Sequence, residues 1–242
     1  MLTLDASPLP VISVHIPKTA GTAFADVLTA NFGDAVAFSY GNRHPKTHPL
    51  LKEIGRPSGQ DDLKRIADAG IRIIHGHFFI RRFRELGIEP SNVWVWLRDP
   101  TERLISEYYF NKGRDDVINP LAKALQAEDL SLLDYARRKD ARNLQHRLLG
   151  PHDIDDLGFV GLTEFYDDCL ELTGLTVPPA ASRTRNATKA KEAVDRKTRM
   201  ALARLNFADQ MRYADAVRRL SRERRAFHQK SAQQNAETAK AG

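Results

Sequence analysis

Four short runs of apolar residues punctuate the chain, each too short for a helix. They are Val11-Ile12-Ser13-Val14, Ile71 to His77, Asn92 to Arg98 and Gly158 to Thr163. Asn92 to Arg98 is almost continuously apolar, as a strand buried on both faces of a sheet should be. Between the runs, apolar residues recur at helical spacing: in Ala23 to Leu28, in Asp61 to Ala69 with Gly70 as the stop, and in Thr101 to Phe110. Helical spacing continues over 119–149, after Thr163 through Leu172, and from about Glu192 to Lys230. Strand alternating with helix predicts a parallel sheet with crossovers. Phe38 to Pro45 is rich in turn formers and reads as irregular, and Pro178-Pro179 opens a polar loop, Ser182 to Lys189. The expected fold is α/β: a P-loop-like parallel sheet flanked by helices, with a helical C-terminal part. Residues 1–230 read as a single domain, and the small polar stretch 231–242 as a disordered tail.

At 242 residues the chain can bury one sizeable core. No apolar run approaches the ~20 residues of a membrane-spanning helix, and Met1 to Asp5 lacks the basic-then-apolar order of a secretory leader. A cytoplasmic setting is expected. The one cysteine, Cys169, excludes an internal disulfide or a thiolate cluster and reads as buried core. The formal charge of +6 favours an anionic ligand. Much of that excess lies in Arg218, Arg219, Arg222, Arg224 and Arg225, a run that reads as a solvated helix face. Nucleic acid is therefore not an expected partner.

The chemistry begins where the first strand ends. His15-Ile16-Pro17-Lys18-Thr19-Ala20-Gly21-Thr22 joins a strand to a helix through a tight polar loop. Backbone N–H groups at a helix start have no partner within the helix, and the dipole draws anions there. Gly21 permits close approach, Thr19 and Thr22 carry hydroxyls, and Lys18 adds a full charge. The spacing is not that of a Walker A loop, GxxxxGK[ST], because Lys18 precedes the glycine. A second cation, Arg98, falls at the end of the third run, followed by Asp99-Pro100 and, eight residues on, Ser106. Ligands of parallel sheets gather beyond the carboxyl ends of strands, so Lys18 and Arg98 suit a ligand with two separated anionic groups.

Pro17 to Thr22 resembles the 5′-phosphosulfate loop of sulfotransferases. Arg98-Asp99-Pro100 with Arg103, Ser106 and Tyr108-Tyr109-Phe110 resembles their 3′-phosphate motif. His75-Gly76-His77 and Val160-Gly161-Leu162-Thr163-Glu164 make the chain most similar to carbohydrate sulfotransferases of the uronyl and heparan sulfate 2-O type. The resemblance implies 3′-phosphoadenosine 5′-phosphosulfate as donor, no metal, and a hydroxyl-bearing acceptor such as a glycan or glycoconjugate. It implies that Lys18, Thr19, Ala20, Gly21, Thr22 and Ala23 hold the donor's 5′ end. Arg98 and Ser106 would hold the 3′-phosphate, and the loop with Arg185, Asn186 and Thr188 would close over the nucleotide.

Sulfuryl transfer needs in-line placement, charge stabilisation and a base. Lys18 suits the charge on the departing oxygen. His75 and His77, two apart in a strand, share a side, and Gly76 leaves room between them. His77 is the favoured base, with His75 orienting it or touching the acceptor, and His15 reads as structural. Arg81, Arg82 and Arg84 suit either an acidic sugar or a solvated basic turn. Two other readings are open. A nucleotide-dependent kinase with an atypical phosphate loop would use Asp99 as a magnesium ligand. A basic binding module without catalysis would leave the placement of Lys18, Arg98 and the histidine pair unexplained.

Overall fold

A computed structural model describes residues 9–55, 57–114, 119–179 and 192–241. The chain runs β1 (Val11–Val14), α1 (Gly21–Phe32), β2 (Val36–Ser39), α2 (Pro49–Ile54), α3 (Gln60–Asp68), β3 (Ile73–Gly76) and α4 (Ile80–Arg84). It continues with β4 (Val93–Leu97), α5 (Pro100–Lys112), α6 (Pro120–Ala127), α7 (Leu132–Arg137) and α8 (Leu144–Leu149). The last elements are β5 (Phe159–Leu162), α9 (Tyr166–Thr173), α10 (Arg196–Leu205) and α11 (Phe207–Ala241). The five strands pair in parallel in the order β2-β3-β1-β4-β5. This is the expected α/β, P-loop-like sheet flanked by helices, with a helical C-terminal part.

The strand order decides which loops are neighbours. Because β1 lies between β3 and β4, the chain leaves all three strands at one edge of the sheet. The residues after β1, β3 and β4 therefore lie side by side, although 62 positions separate His15 from His77. Apolar packing enforces the arrangement. Every residue of β4 is buried, and Trp96 meets Phe24 of α1, Phe159 of β5 and Tyr166 of α9. Phe24, Val27 and Leu28 are fully buried, and each such side chain contributes roughly 1.5–3 kcal/mol. A second cluster joins Leu104, Ile105 and Tyr108 of α5 to Leu121, Tyr135 and Leu202.

β2 and the end of α11 differ from the sequence expectation, and α2 and α4 are short helices that the pattern does not announce. β2 runs two residues into the stretch Phe38 to Pro45 that reads as irregular: Val36-Ala37-Phe38 is too short an apolar run to signal a strand, and its order comes from pairing with Ile73 to His75. The expected unstructured tail continues α11 as helix to Ala241. Residues 231–241 are mostly Ala, Gln, Glu and Lys, and extending an existing helix needs no new nucleus. Among the described residues no helix is long and apolar enough to cross a membrane.

Candidate active site

The loop after β1 is held in a costly shape. Lys18 has φ 69° and Ala20 φ 64°, both left-handed and both without glycine's freedom. Three bonds over-determine it. The His15 N–H donates to the Gly76 carbonyl at 2.7 Å, the buried Thr19 hydroxyl to the Ile16 carbonyl at 2.9 Å, and Arg98 Nη1 to the Lys18 carbonyl at 3.2 Å. Ala20 then opens α1 with no side-chain cap, so the first N–H groups of this 12-residue helix are not taken up by a capping side chain. Gly21 is required by contact, because a Cβ there would lie 2.1 Å from the His15 ring. Strained backbone, an uncapped helix start and a lysine are together the features that favour an anion.

Lys18 Nζ sits 3.9 Å from the centre of the Phe110 ring, so α5 provides a face against which this cation rests. Thr22 is exposed at the helix start and Ala23 is buried beneath it. Thr19 is buried within the loop. Its hydroxyl proton goes to the Ile16 carbonyl, so in this structure the side chain braces the loop.

Arg98 follows β4, with its side chain about one-fifth exposed. Glu164 lies 4.0 Å from its Nε and also accepts the Asp99 N–H at 3.0 Å and the Tyr213 hydroxyl at 2.9 Å. Thr163 donates to the Leu97 carbonyl at 3.0 Å. The Thr163-Glu164 pair after β5 thus braces the turn that carries Arg98. Asp99 caps α5, its Oδ1 accepting the Glu102 N–H at 2.9 Å. Ser106 is buried two turns along α5, and among the described residues no hydrogen bond joins it to Arg98. Arg185 and Thr188 lie outside the described residues. Arg81, Arg82 and Arg84 lie on α4, just beyond His77.

His15, His75 and His77 form one ring cluster. The His15 ring centre is 5.1 Å from that of His75 and 4.7 Å from that of His77. Tyr40 closes the group, its hydroxyl 3.1 Å from His15 Nδ1 and its ring 5.1 Å from His77. Gly76 is needed between the two histidines, since a Cβ there would lie 1.9 Å from the Ser39 carbonyl oxygen. His75 and His77 differ sharply. His75 is buried at 1% exposure with Nδ1 bonded to Ser13 Oγ at 2.8 Å. Burial, aided by His77, pushes its pKa down to about 3. His77 is exposed just beyond the strand, with Nδ1 2.6 Å from the His15 carbonyl oxygen. That oxygen can only accept, so Nδ1 carries the proton of the neutral ring and Nε2 keeps its lone pair. Crowding by protein atoms lowers the His77 pKa, against the opposing pull of the His15 bond. Burial lowers His15 further, with the charges of His75, His77 and Lys18 adding to it.

Lys18, Arg98 and His77 are thus brought to the ends of three adjoining strands. His15, read from sequence as structural, supplies both a ring and the carbonyl that sets the His77 tautomer. Tyr40 gives no sequence signal, because it lies in the strand-and-turn region whose pattern reads as irregular. Among the described residues no three His, Cys, Asp or Glu side chains are grouped to hold a metal ion.

No protein-family model matches the chain. Over 134 residues it is 25% identical to heparan sulfate 2-O-sulfotransferase 1 of Xenopus laevis, a match covering 51% of this chain and 35% of that protein. The chain thus spans about a third of the length of this relative, and its similarity is to a sulfotransferase.

Proposed function

We propose that the protein transfers a sulfuryl group from 3′-phosphoadenosine 5′-phosphosulfate to a hydroxyl, the acceptor being a glycan or glycoconjugate. The observation that carries this reading is the convergence of Lys18, Arg98 and His77 beside an uncapped helix start. When bound, the donor supplies the activated sulfuryl group. The start of α1 and Lys18 receive its 5′ end, where Lys18 offsets the charge growing on the departing oxygen. Arg98 takes the 3′-phosphate, at the distance from Lys18 that the neighbouring strand ends impose. His77 Nε2 accepts the proton of the acceptor hydroxyl as that oxygen attacks sulfur, while His15 holds the ring from its other nitrogen. Burial of His75 and its bond to Ser13 leave it a supporting role. The similarity to a heparan sulfate sulfotransferase supports the acceptor class.

Calorimetric titration with adenosine 3′,5′-bisphosphate beside ATP tests the donor. Tighter binding of the bisphosphate is expected, and a preference for ATP would overturn the reading in favour of a kinase.

A further inference from the structure

Arg98 lies one residue beyond β4, where the sheet has run out of partners: β1 last pairs at Val95 and β5 at Leu97. Its main chain is nevertheless fully bonded, by a side chain. Gln145 Oε1 accepts the Arg98 N–H at 2.9 Å, and Gln145 Nε2 donates to the Arg98 carbonyl at 2.9 Å. Donor meets acceptor at both ends, which fixes the orientation of the amide. Gln145 has no solvent exposure. A buried amide is costly unless its polar atoms are paired, and both of these side-chain bonds are spent on one residue.

The clamp is itself anchored. Gln145 lies in the first turn of α8, whose start is capped by Asp209 of α11. The Gln145 N–H reaches Asp209 Oδ2 at 3.3 Å, and the His146 N–H reaches Oδ1 at 2.7 Å. Asn143, left-handed at φ 50°, accepts the Asp209 N–H at 3.3 Å and donates its own N–H to Asn206 at 2.9 Å. Asn206 and Asp209 are both fully buried. The junction of α10 and α11 therefore sets where Gln145 stands, and Gln145 sets where Arg98 leaves the sheet.

We propose that Gln145 is a positioning residue for the donor site, holding the Arg98 main chain so that its guanidinium meets the 3′-phosphate, with Asp209 tying this clamp to the C-terminal helix. This rests on the donor reading above. Gln145→Met keeps the length and removes both bonds. Calorimetry on the full chain compares adenosine 3′,5′-bisphosphate with adenosine 5′-monophosphate, and melting temperature is recorded for each preparation. The preference for the bisphosphate should fall by about three- to thirtyfold, part of what a full charge-assisted bond is worth, while monophosphate affinity stays within about twofold. In an Arg98→Ala background the same change should remove nothing further from that preference, because a group acting only through Arg98 has nothing left to position. If Gln145→Met does not fold, Gln145→Glu, which keeps the acceptor for the Arg98 N–H but loses the amide donor, carries the same measurement. An unchanged preference, an equal loss for both ligands, or a further loss of preference without the Arg98 side chain would overturn the clamp alone. A wild-type protein that does not distinguish the two ligands would instead overturn the donor reading, and the clamp with it.

Discussion

The protein concentrates positive charge in two places and uses it in opposite ways. At the strand ends, Lys18 rests on an aromatic face beside an uncapped helix, and the Arg98 side chain donates to a carbonyl and stands 4.0 Å from a carboxylate. Along α11 four arginines are consumed. Arg212 donates to the His152 and Gly150 carbonyls at 2.5 and 2.9 Å, Arg219 to those of Ile154 and Leu157 at 2.5 and 2.7 Å. Arg222 pairs with Asp155, and Arg224 with Asp168. Four guanidiniums therefore staple the long helix to the 150–157 loop and to α9, and so hold Asp209 against α8. Where a cation sits in the fold separates these two uses, and a count of charges does not show it.

If this contrast is right, substitutions at the strand ends change chemistry and binding, whereas substitutions on α11 change stability. The largest effect is expected for His77→Ala. General-base catalysis contributes roughly 10²–10⁴-fold, so turnover should drop by that factor while adenosine 3′,5′-bisphosphate binds as in wild type. Retained turnover in a folded variant would remove His77 from the mechanism. Arg98→Ala comes next. Loss of a charge-assisted bond worth roughly 1.5–3 kcal/mol corresponds to about 10- to 150-fold weaker bisphosphate binding. Equal losses for a ligand lacking the 3′-phosphate would deny Arg98 that contact.

On the other side of the contrast stands Arg219, whose side chain is 11% exposed. Arg219→Ala strands two buried carbonyls, at about 1–3 kcal/mol of stability, and should lower the denaturation midpoint without altering bisphosphate affinity at temperatures where the variant is folded. Arg222→Ala breaks a pair with both partners half exposed or more, worth at most about 1 kcal/mol. Weaker bisphosphate binding in either variant would mean that α11 contributes charge to the site after all.

Much of this division can be read from the residues, and its limits have physical causes. β1, β3, β4 and β5 announce themselves because strands buried on both faces need apolar residues throughout. β2 does not, since three apolar residues before a turn become a strand only when β3 offers its edge. Lys18, Arg98 and His77 follow from their positions after strands, a local property. Gln145 and Asp209 do not, because their meaning arises from contacts across 47 and 64 positions that no spacing encodes. His15 misleads for another reason: its bond to His77 is made by a backbone carbonyl, which every residue has. The arginines of α11 look alike in sequence, and only the carbonyls of the 150–157 loop separate the buried staple at 219 from the exposed pair at 222.

The smallest expected effect is a displacement along the pH axis, and it sharpens the contrast between His75 and His77. An unperturbed histidine titrates near 6.5. Crowding lowers His77 below that value, so its Nε2 stays unprotonated to lower pH, and the acid limb of kcat/KM, which reports the free enzyme, should have its midpoint below 6.5. A second event falls in the same range and must be separated from it. His15 and His75 also titrate lower in the folded protein than in the unfolded chain. Below about 6.5 the unfolded state therefore binds more protons, and stability falls as pH drops from 6.5 toward the His75 value of about 3, being fully present above that window. Thermal midpoints taken at each pH identify the range in which the protein remains folded, and only rates from that range count. Arg219→Ala should leave the limb in place while narrowing the range. A wild-type limb centred at or above 6.5 in folded protein would show that the titrating base is not a histidine in this cluster.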